Sequence, residues 1–257
     1  MALAGVYAAA PYVVLGLSSV FDPWVAAVSA VSVGALIAYL CDRWSHTPLT
    51  RRGASHGVHL IASLGVYIVI VQLVAIGFGN EVRVFKGGEQ LIVDWPDVKV
   101  RLSQCIVFAT GVVVCAVYLG TLRWTDTGLR MRALADDPQQ FELYGRTPAR
   151  VRTGVVAAAG GLTALTATLA AYDHGFDPQG GLHVLLIAIV AVIIGGRGSF
   201  FGPLIGALVV AVVRESTAWT WAAHWRDFAT FLVLCVFLVV LPRGIVAGST
   251  RAESEAR

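Results

Sequence analysis

Charged residues are scarce in this chain of 257 residues, of which 14% are charged and 57% are hydrophobic. A single soluble core cannot bury that much apolar surface, so the composition excludes an ordinary soluble domain and favours a protein that spans a lipid bilayer. The formal net charge of +3 comes from arginines set between apolar runs and not from one basic block. Nucleic acid is therefore not an expected partner.

The motifs of several enzyme classes are also missing. The only lysines, Lys86 and Lys99, are followed by glycine and valine, so the sequence holds no phosphate-binding loop of the form G-x-x-x-x-G-K-[ST]. The six histidines form no H-E-x-x-H pair, and no G-x-S-x-G segment supplies an acyl-transfer serine. We expect no catalytic site, no metal site and no cofactor in this chain. If the protein moves a solute uphill, a partner must supply the energy.

Cysteines are few and lie far apart. The chain has four of them, which match no C-x-x-C metal or redox spacing: Cys41, Cys105, Cys115 and Cys235. All lie in or beside apolar segments, so we predict that they serve as small buried hydrophobic residues.

Long apolar runs make up most of the chain. A bilayer core about 30 Å thick needs roughly 20 apolar residues as a helix. Six segments are predicted to span it: Ala2 to Val20, Pro23 to Leu40, Val58 to Phe78, Leu102 to Thr121, Val155 to Ala171 and Phe228 to Leu241. They hold no Asp, Glu, Lys or Arg, which argues against a carrier coupled to ions through an intramembrane charge.

A further apolar stretch, Gly181 to Arg214, is interrupted by the sequence G-G-R-G-S. The interruption leaves two pieces of roughly 13 residues, each too short to cross alone, so we predict two half-spans. Irregular backbone at membrane depth is tolerated where it is buried in protein or lines a cavity, and transporters often use it to line a path. We expect a path or gating role for Gly195, Gly196, Gly198, Ser199 and Gly202. Close helix packing through small residues is the alternative.

Arginine-rich segments predict the orientation. The segments Cys41 to Gly57 and Leu122 to Gly154 and the C-terminal tail hold most of the arginines, which places all three in the cytoplasm. The segments Asn80 to Arg101 and Tyr172 to Gly181 would face outward, and both termini would face inward. We divide the chain into a membrane domain, 1–246, which contains the cytoplasmic segment 122–154, and a polar tail, 247–257.

The cytoplasmic segment includes the run TGLRMRALADDPQQFELYGRTPARVRT, residues 127–153. Asp137 can cap a helix with Pro138 as its first residue and Gln140 at its third, and Gly145 can end that helix in the left-handed conformation. The pattern predicts a helix of about two turns, Pro138 to Tyr144. A second start is predicted by Thr147 and Pro148.

The short helix would carry an apolar face formed by Phe141, Leu143 and Tyr144. Aromatic side chains are enriched at protein interfaces, so this face is suited to a protein partner. An amphipathic loop that lies on lipid headgroups is the alternative.

Four sequence blocks carry a family resemblance. R-A-L-A-D-D-P-x-x-x-x-L-Y-G-R-T-P-x-R-V, residues 132–151, resembles the cytoplasmic segment of branched-chain amino acid ABC transporter permeases, close to R-A-x-A-E-D-P-x-x-A-x-L-x-G-I. D-R-W-S-H-T-P-L-T-R-R, residues 42–52, is similar to the family's E-R-x-x-Y-R-P-L-R-R, and G-G-R-G-S-F-F-G-P-L-I-G-A, residues 195–207, resembles G-G-x-G-S-x-x-G-x-x-x-G-A. L-P-R-G-I, residues 241–245, is similar to the closing P-x-G-I. The match is closer to the LivH-type permease than to the LivM-type.

The resemblance implies an all-α, polytopic transmembrane bundle in the bacterial inner membrane, with a Gly-rich broken helix and a cytoplasmic coupling helix. It implies that the coupling helix docks on an ATPase through Asp136, Asp137, Pro138, Phe141, Leu143, Tyr144 and Gly145. The implied partners are a homologous second permease subunit, cytoplasmic ABC ATPase subunits that bind the ATP, and an extracytoplasmic solute-binding protein. Branched-chain amino acids are the family's default solute, and relatives carry urea, short amides and other amino acids.

The start of the chain departs from the family pattern. Members usually begin with a further helix that ends in an N-F-A-H-G-like motif followed by G-A-Y, and the stretch from Ala4 to Tyr7 looks like what comes just after it. The resemblance therefore implies that Met1 starts partway into the fold. Two other functions stay open: a stand-alone carrier or channel, and a truncated membrane subunit that does not transport.

Overall fold

The computed structural model describes residues 1–17, 23–85, 92–95, 98–143, 147–196, 199–241 and 244–245. The chain divides into two compact units, residues 1–182 (unit 1) and residues 183–257 (unit 2). Apolar helices dominate the described part of both units, which confirms the predicted all-α polytopic bundle.

Unit 1 contains eight α-helices in the described residues, with a π-helical turn, Asp42–His46, between the second and the third. The helices are α1 (Ala2–Leu17), α2 (Pro23–Cys41), α3 (Thr47–Arg51), α4 (His56–Phe78), α5 (Leu102–Trp124), α6 (Asp126–Asp136), α7 (Pro138–Leu143) and α8 (Pro148–His174). In unit 2 the helices are α9 (Gly180–Gly195, which begins at the end of unit 1), α10 (Gly202–Thr220) and α11 (Arg226–Val240), with a 3₁₀ turn at Ala223–Trp225.

The six predicted spans correspond to α1, α2, α4, α5, α8 and α11. Four described segments are long and apolar enough to cross a membrane: Gly57–Phe78, Gln104–Trp124, Pro148–His174 and Ala223–Val240. Residues 18–20, the end of the first predicted span, lie outside the described residues. Because the hydropathy of a run shows directly where it can enter lipid, most of the observed helix ends lie within a few residues of the predicted ones.

Small residues bring α1, α2 and α8 together at the centre of unit 1. Gly34 and Ala38 on α2 face Gly160 and Ala164 on α8, and a Cβ added at Gly160 would overlap Ala38 and the carbonyl of Gly34. Both pairs are spaced four apart, which places the small residues on one helix face. Such pairs let helix backbones approach closely where lipid removes the hydrophobic driving force for packing.

Two strands depart from the predicted loop at residues 80–101. β1 (Ile92–Trp95) pairs antiparallel with β2 (Val98–Arg101), with Ile92 opposite Arg101 and Trp95 opposite Val98. Val98 to Arg101 alternates apolar and polar residues, and a Pro-Asp pair precedes it, which are features of a hairpin.

The prediction that the cysteines are small buried residues is wrong for Cys105 and Cys235, which are exposed.

The two segments predicted to share the outer face do lie at the same end of unit 1. Arg83 and Phe176 exchange two backbone hydrogen bonds, at 2.9 and 2.8 Å. Tyr12 packs beside them, with its ring 4.9 Å from that of Phe176.

The two pieces around the glycine-rich break are longer than predicted. Helix α9 has 16 residues and α10 has 19, about 24 and 28 Å at 1.5 Å per residue. Each therefore approaches the thickness of the hydrocarbon core, and the expectation of two pieces of 13 residues is wrong. The helical pattern continues past Arg214, which the hydropathy alone treats as an end.

Candidate functional site: the coupling segment and the glycine-rich break

The cytoplasmic segment folds into α6, α7 and the start of α8. The capping residues predicted α7 and the helix start at Pro148, whereas α6 was not predicted. The side chain of Thr125 accepts a hydrogen bond from the backbone N–H of Gly128 at 3.2 Å and caps α6. The Oδ1 atom of Asp137 accepts one from the backbone N–H of Gln140 at 3.0 Å and caps α7. Asp136 is the last residue of α6, and Pro138 is the first of α7.

Only part of the predicted docking face points outward. Phe141 is 7% exposed, so the expectation that a partner buries this ring is wrong for the conformation observed, whereas Leu143 is 86% exposed. Helix α7 contacts α6 and α8. Tyr144 and Gly145 lie outside the described residues. Leu143 is therefore the apolar side chain of the predicted face that α7 presents.

An ion pair with a buried carboxylate joins the start of α8 to the turn that follows α2; the side chain of Asp42 is 2% exposed and that of Arg152 is 35% exposed. The Nε atom of Arg152 lies 3.4 Å from Oδ1 of Asp42, and the hydroxyl of Thr153 donates to Oδ2 of Asp42 at 2.5 Å. The two terminal nitrogens of Arg152 donate to the hydroxyls of Thr50, at 3.0 Å, and Thr47, at 3.3 Å. Asp42 is 1% exposed. The two arginine-rich segments predicted to share the cytoplasmic face thus meet at one end of unit 1.

A cavity of about 700 Å³ opens beside this ion pair and is lined by residues that include Asp42, His46, His59, Ser63 and Arg152. The Nδ1 atoms of His46 and His59 are 3.2 Å apart and share a hydrogen bond, in which one ring donates its N–H and the other accepts. His46 lies in the π-helical turn, outside the spans. Burial lowers the pKa of His46; Asp42 raises it, whereas His59, Arg152 and the chain's amino terminus lower it further.

The glycine-rich break is a close crossing of backbones in unit 2. A Cβ at Gly195 would overlap the carbonyl of Gly202, and one at Gly206 would overlap the carbonyl of Ala191. Gly196 has a φ of 102°, in the range that glycine tolerates and other residues avoid. The hydroxyl of Ser199 accepts from the N–H groups of Phe201 and Gly202 and so caps the start of α10. Gly198 lies outside the described residues.

The closing L-P-R-G-I block returns to this break. The N–H of Ile245 donates to the carbonyl of Ile194 at 2.9 Å, which satisfies one of the carbonyls left unpaired at the end of α9. A Cβ at Gly244 would overlap Gly196. The structure therefore brings two of the four family-like blocks, predicted only as separate motifs, into direct contact.

Unit 2 also holds charges that the sequence analysis did not use. Arg214, 13th of the 19 residues of α10, is 19% exposed and donates to Asp227 at 2.8 Å and to Thr230 at 3.2 Å. The Nε2 atom of His183 lies 3.5 Å from the same Asp227 oxygen. The sequence alone could have indicated a partner for Arg214, because an arginine so far into an apolar helix usually has one.

Comparison with known proteins gives one family. A family model described as "Branched-chain amino acid transport system / permease component" matches residues 1–241. The permease protein LivH of the high-affinity branched-chain amino acid transport system of Salmonella typhimurium is 24% identical over 229 residues, which are 85% of this chain and 72% of that protein. The corresponding protein BraD of Pseudomonas aeruginosa is 25% identical over 244 residues, 90% of this chain and 77% of that protein.

A shorter match extends to a sugar transporter. The fructose import permease protein FrcC of Rhizobium meliloti is 35% identical over 118 residues, which are 41% of this chain and 32% of that protein. No solved structure matches this chain significantly.

Proposed function

Because this chain belongs to the family of branched-chain amino acid transport system permease components, we propose that it is a membrane-spanning subunit of an ABC importer. Its apolar helices make it a multi-pass membrane protein. Its task in the importer is to form part of the path by which branched-chain amino acids or related small polar solutes cross the inner membrane. The matches to LivH and BraD support that solute class, since they cover far more of the chain than the match to FrcC.

The energy that drives solute transport comes from partner subunits. The sequence has no phosphate-binding loop, so we assign ATP binding and hydrolysis to cytoplasmic ATPase subunits and no cofactor to this chain. A homologous second permease would complete the path, and an extracytoplasmic solute-binding protein would deliver the solute. The glycine-rich break is our candidate for the path-lining or gating element, because its backbones meet without intervening side chains.

We infer the orientation from the arginines at the two polar ends of unit 1. One end holds the segments joined by Asp42 and Arg152, and the other holds the segments joined by Arg83 and Phe176. The first end has the excess of arginine, so we place it and both termini in the cytoplasm.

The observation that carries the proposal is α7, a short capped helix that lies between membrane helices and exposes Leu143. In an ABC importer the ATPase must push on such a rigid element to switch the subunit between two states. We propose that α7 is that element, and that Leu143 docks on the ATPase.

The test is co-purification in detergent of this chain with its ATPase. Wild type is compared with Leu143→Asp and with the control Leu129→Asp, which charges another exposed leucine, 59% exposed, on neighbouring α6. A charge in the centre of an interface should reduce the bound ATPase about tenfold or more. Phe141→Asp is not a test of docking, because a buried charge there would unfold the segment.

Two outcomes would contradict the proposal. Equal losses in both variants would show that the segment responds to any charge, and no loss in either would remove α7 from the interface. Flux of radiolabelled leucine into liposomes that hold this chain alone would favour a stand-alone carrier or channel. ATPase binding without uptake by the whole assembly would favour a subunit that does not transport.

A further inference from the structure

We propose that Asp42 and Arg152 are a positioning pair that carries movement of the coupling segment from α8 to α2. The inference rests on the proposed function, since the pair has this task only if α7 docks on an ATPase.

The pair joins two elements that otherwise meet through small apolar residues. Arg152 lies in the second turn of α8, near the end of the cytoplasmic segment 122–154. Its two terminal nitrogens donate to the hydroxyls of Thr47 and Thr50, and its Nε lies 3.4 Å from Asp42 as an ion pair without a hydrogen bond. A planar group held at three points resists both rotation and sliding. Thr153, the next residue of α8, adds a hydrogen bond to Asp42.

Burial makes the connection stiff. Asp42 is 1% exposed, and each of its two carboxylate oxygens has a partner on α8. Moving α8 away from α2 would leave this carboxylate buried without a compensating charge, which is strongly unfavourable. The start of α8 and the end of α2 therefore move together.

No loose joint separates Asp42 from α2. Cys41, the last residue of α2, has φ −60° and ψ −44°, so the helical path continues into the π-helical turn that Asp42 begins. Single π-helical turns of this kind are common at functional sites. A displacement of α7, which contacts α8, can thus reach α2 through one ion pair, and α2 packs on α1 at the centre of unit 1.

The test measures solute moved per ATP hydrolysed in proteoliposomes that contain the whole importer, with radiolabelled leucine as the probe and phosphate release in the same vesicles. Asp42→Asn should keep the ATPase bound and hydrolysing, and the leucine moved per ATP should fall about tenfold. Asp42→Glu, which restores the charge, should recover a large part of that ratio. Arg150→Gln, which removes an exposed arginine from the same helix, should match wild type.

A merely structural role predicts a different result. If Asp42→Asn lowers uptake and hydrolysis together, in proportion to the folded protein lost, or leaves the ratio unchanged, the inference is wrong. If Asp42→Asn does not fold, a double variant, Thr47→Val with Thr50→Val, serves instead. It keeps the charges of Asp42 and Arg152 and removes the two hydrogen bonds that Arg152 donates to the threonines. Unchanged leucine moved per ATP in this variant also overturns the inference. Failure of wild type to bind any ATPase would instead overturn the proposed function.

Discussion

Substitution of Gly160 by valine tests the packing at the centre of unit 1. A Cβ at this position would overlap the Cβ of Ala38 and the carbonyl oxygen of Gly34, and valine adds two further methyl groups. Overpacking of this kind costs about 1–3 kcal/mol. We expect about 3 kcal/mol, because part of the obstacle is backbone that cannot rotate away, and the better helix propensity of valine offsets only a few tenths of that.

The matched control is Gly154→Val on the same helix. Within the described part of the chain, a Cβ added at Gly154 meets no atom closer than 4 Å, so this variant should be neutral or slightly more stable. The assay is the fraction of monodisperse protein that survives heating in detergent, and Gly160→Val should lower its midpoint by about 5–10 °C. Equal shifts for the two variants would refute the close approach of α2 and α8.

Two further predictions concern the charged groups. Burial lowers the pKa of His46 below its ordinary value of about 6.5, so the unfolded chain binds the proton more tightly than the folded protein does. The free energy of unfolding should therefore be full above that pH and fall as the pH drops below it. Replacing His46 by glutamine, His46→Gln, should flatten the thermal-stability profile between about pH 8 and 5. A rise in stability on acidification would contradict this. Arg214→Gln combined with Asp227→Asn in a double-mutant cycle should give a coupling of about 1 kcal/mol, and a value near zero would show that the ion pair does not contribute.

Helix positions could be predicted from the sequence because they depend on local features. Hydropathy shows which runs enter lipid, and the cap at Asp137 with proline after it predicts α7, which is described from Pro138 to Leu143; the predicted last residue, Tyr144, lies outside the described residues. The hairpin β1–β2 shows the limit of that reasoning, since each strand is only four residues long, only β2 alternates apolar and polar residues, and both lie in a segment predicted as a loop.

The ion pair between Asp42 and Arg152 could not be predicted in the same way. Each residue alone is a charge at the edge of a span, and the two are 110 positions apart, so nothing local links them. The burial of Phe141 is a similar case, because spacing gives the face of a short helix and not which side of it meets the rest of the chain. Both features arise from tertiary packing between distant residues, which the local patterns of a single sequence do not indicate.

Helix α8 connects the candidate coupling site at one end of unit 1 to the Arg83–Phe176 pairing at the other end. Its 27 residues extend about 40 Å, more than the roughly 30 Å of the hydrocarbon core. Arg152 is bonded near its first turn, and Phe176 is bonded just beyond its last. The two polar assemblies of unit 1 therefore lie at opposite ends of a helix long enough to cross the bilayer. The proposed cytoplasmic location of Asp42 and Leu143 thus carries with it an outer location for Arg83 and Phe176.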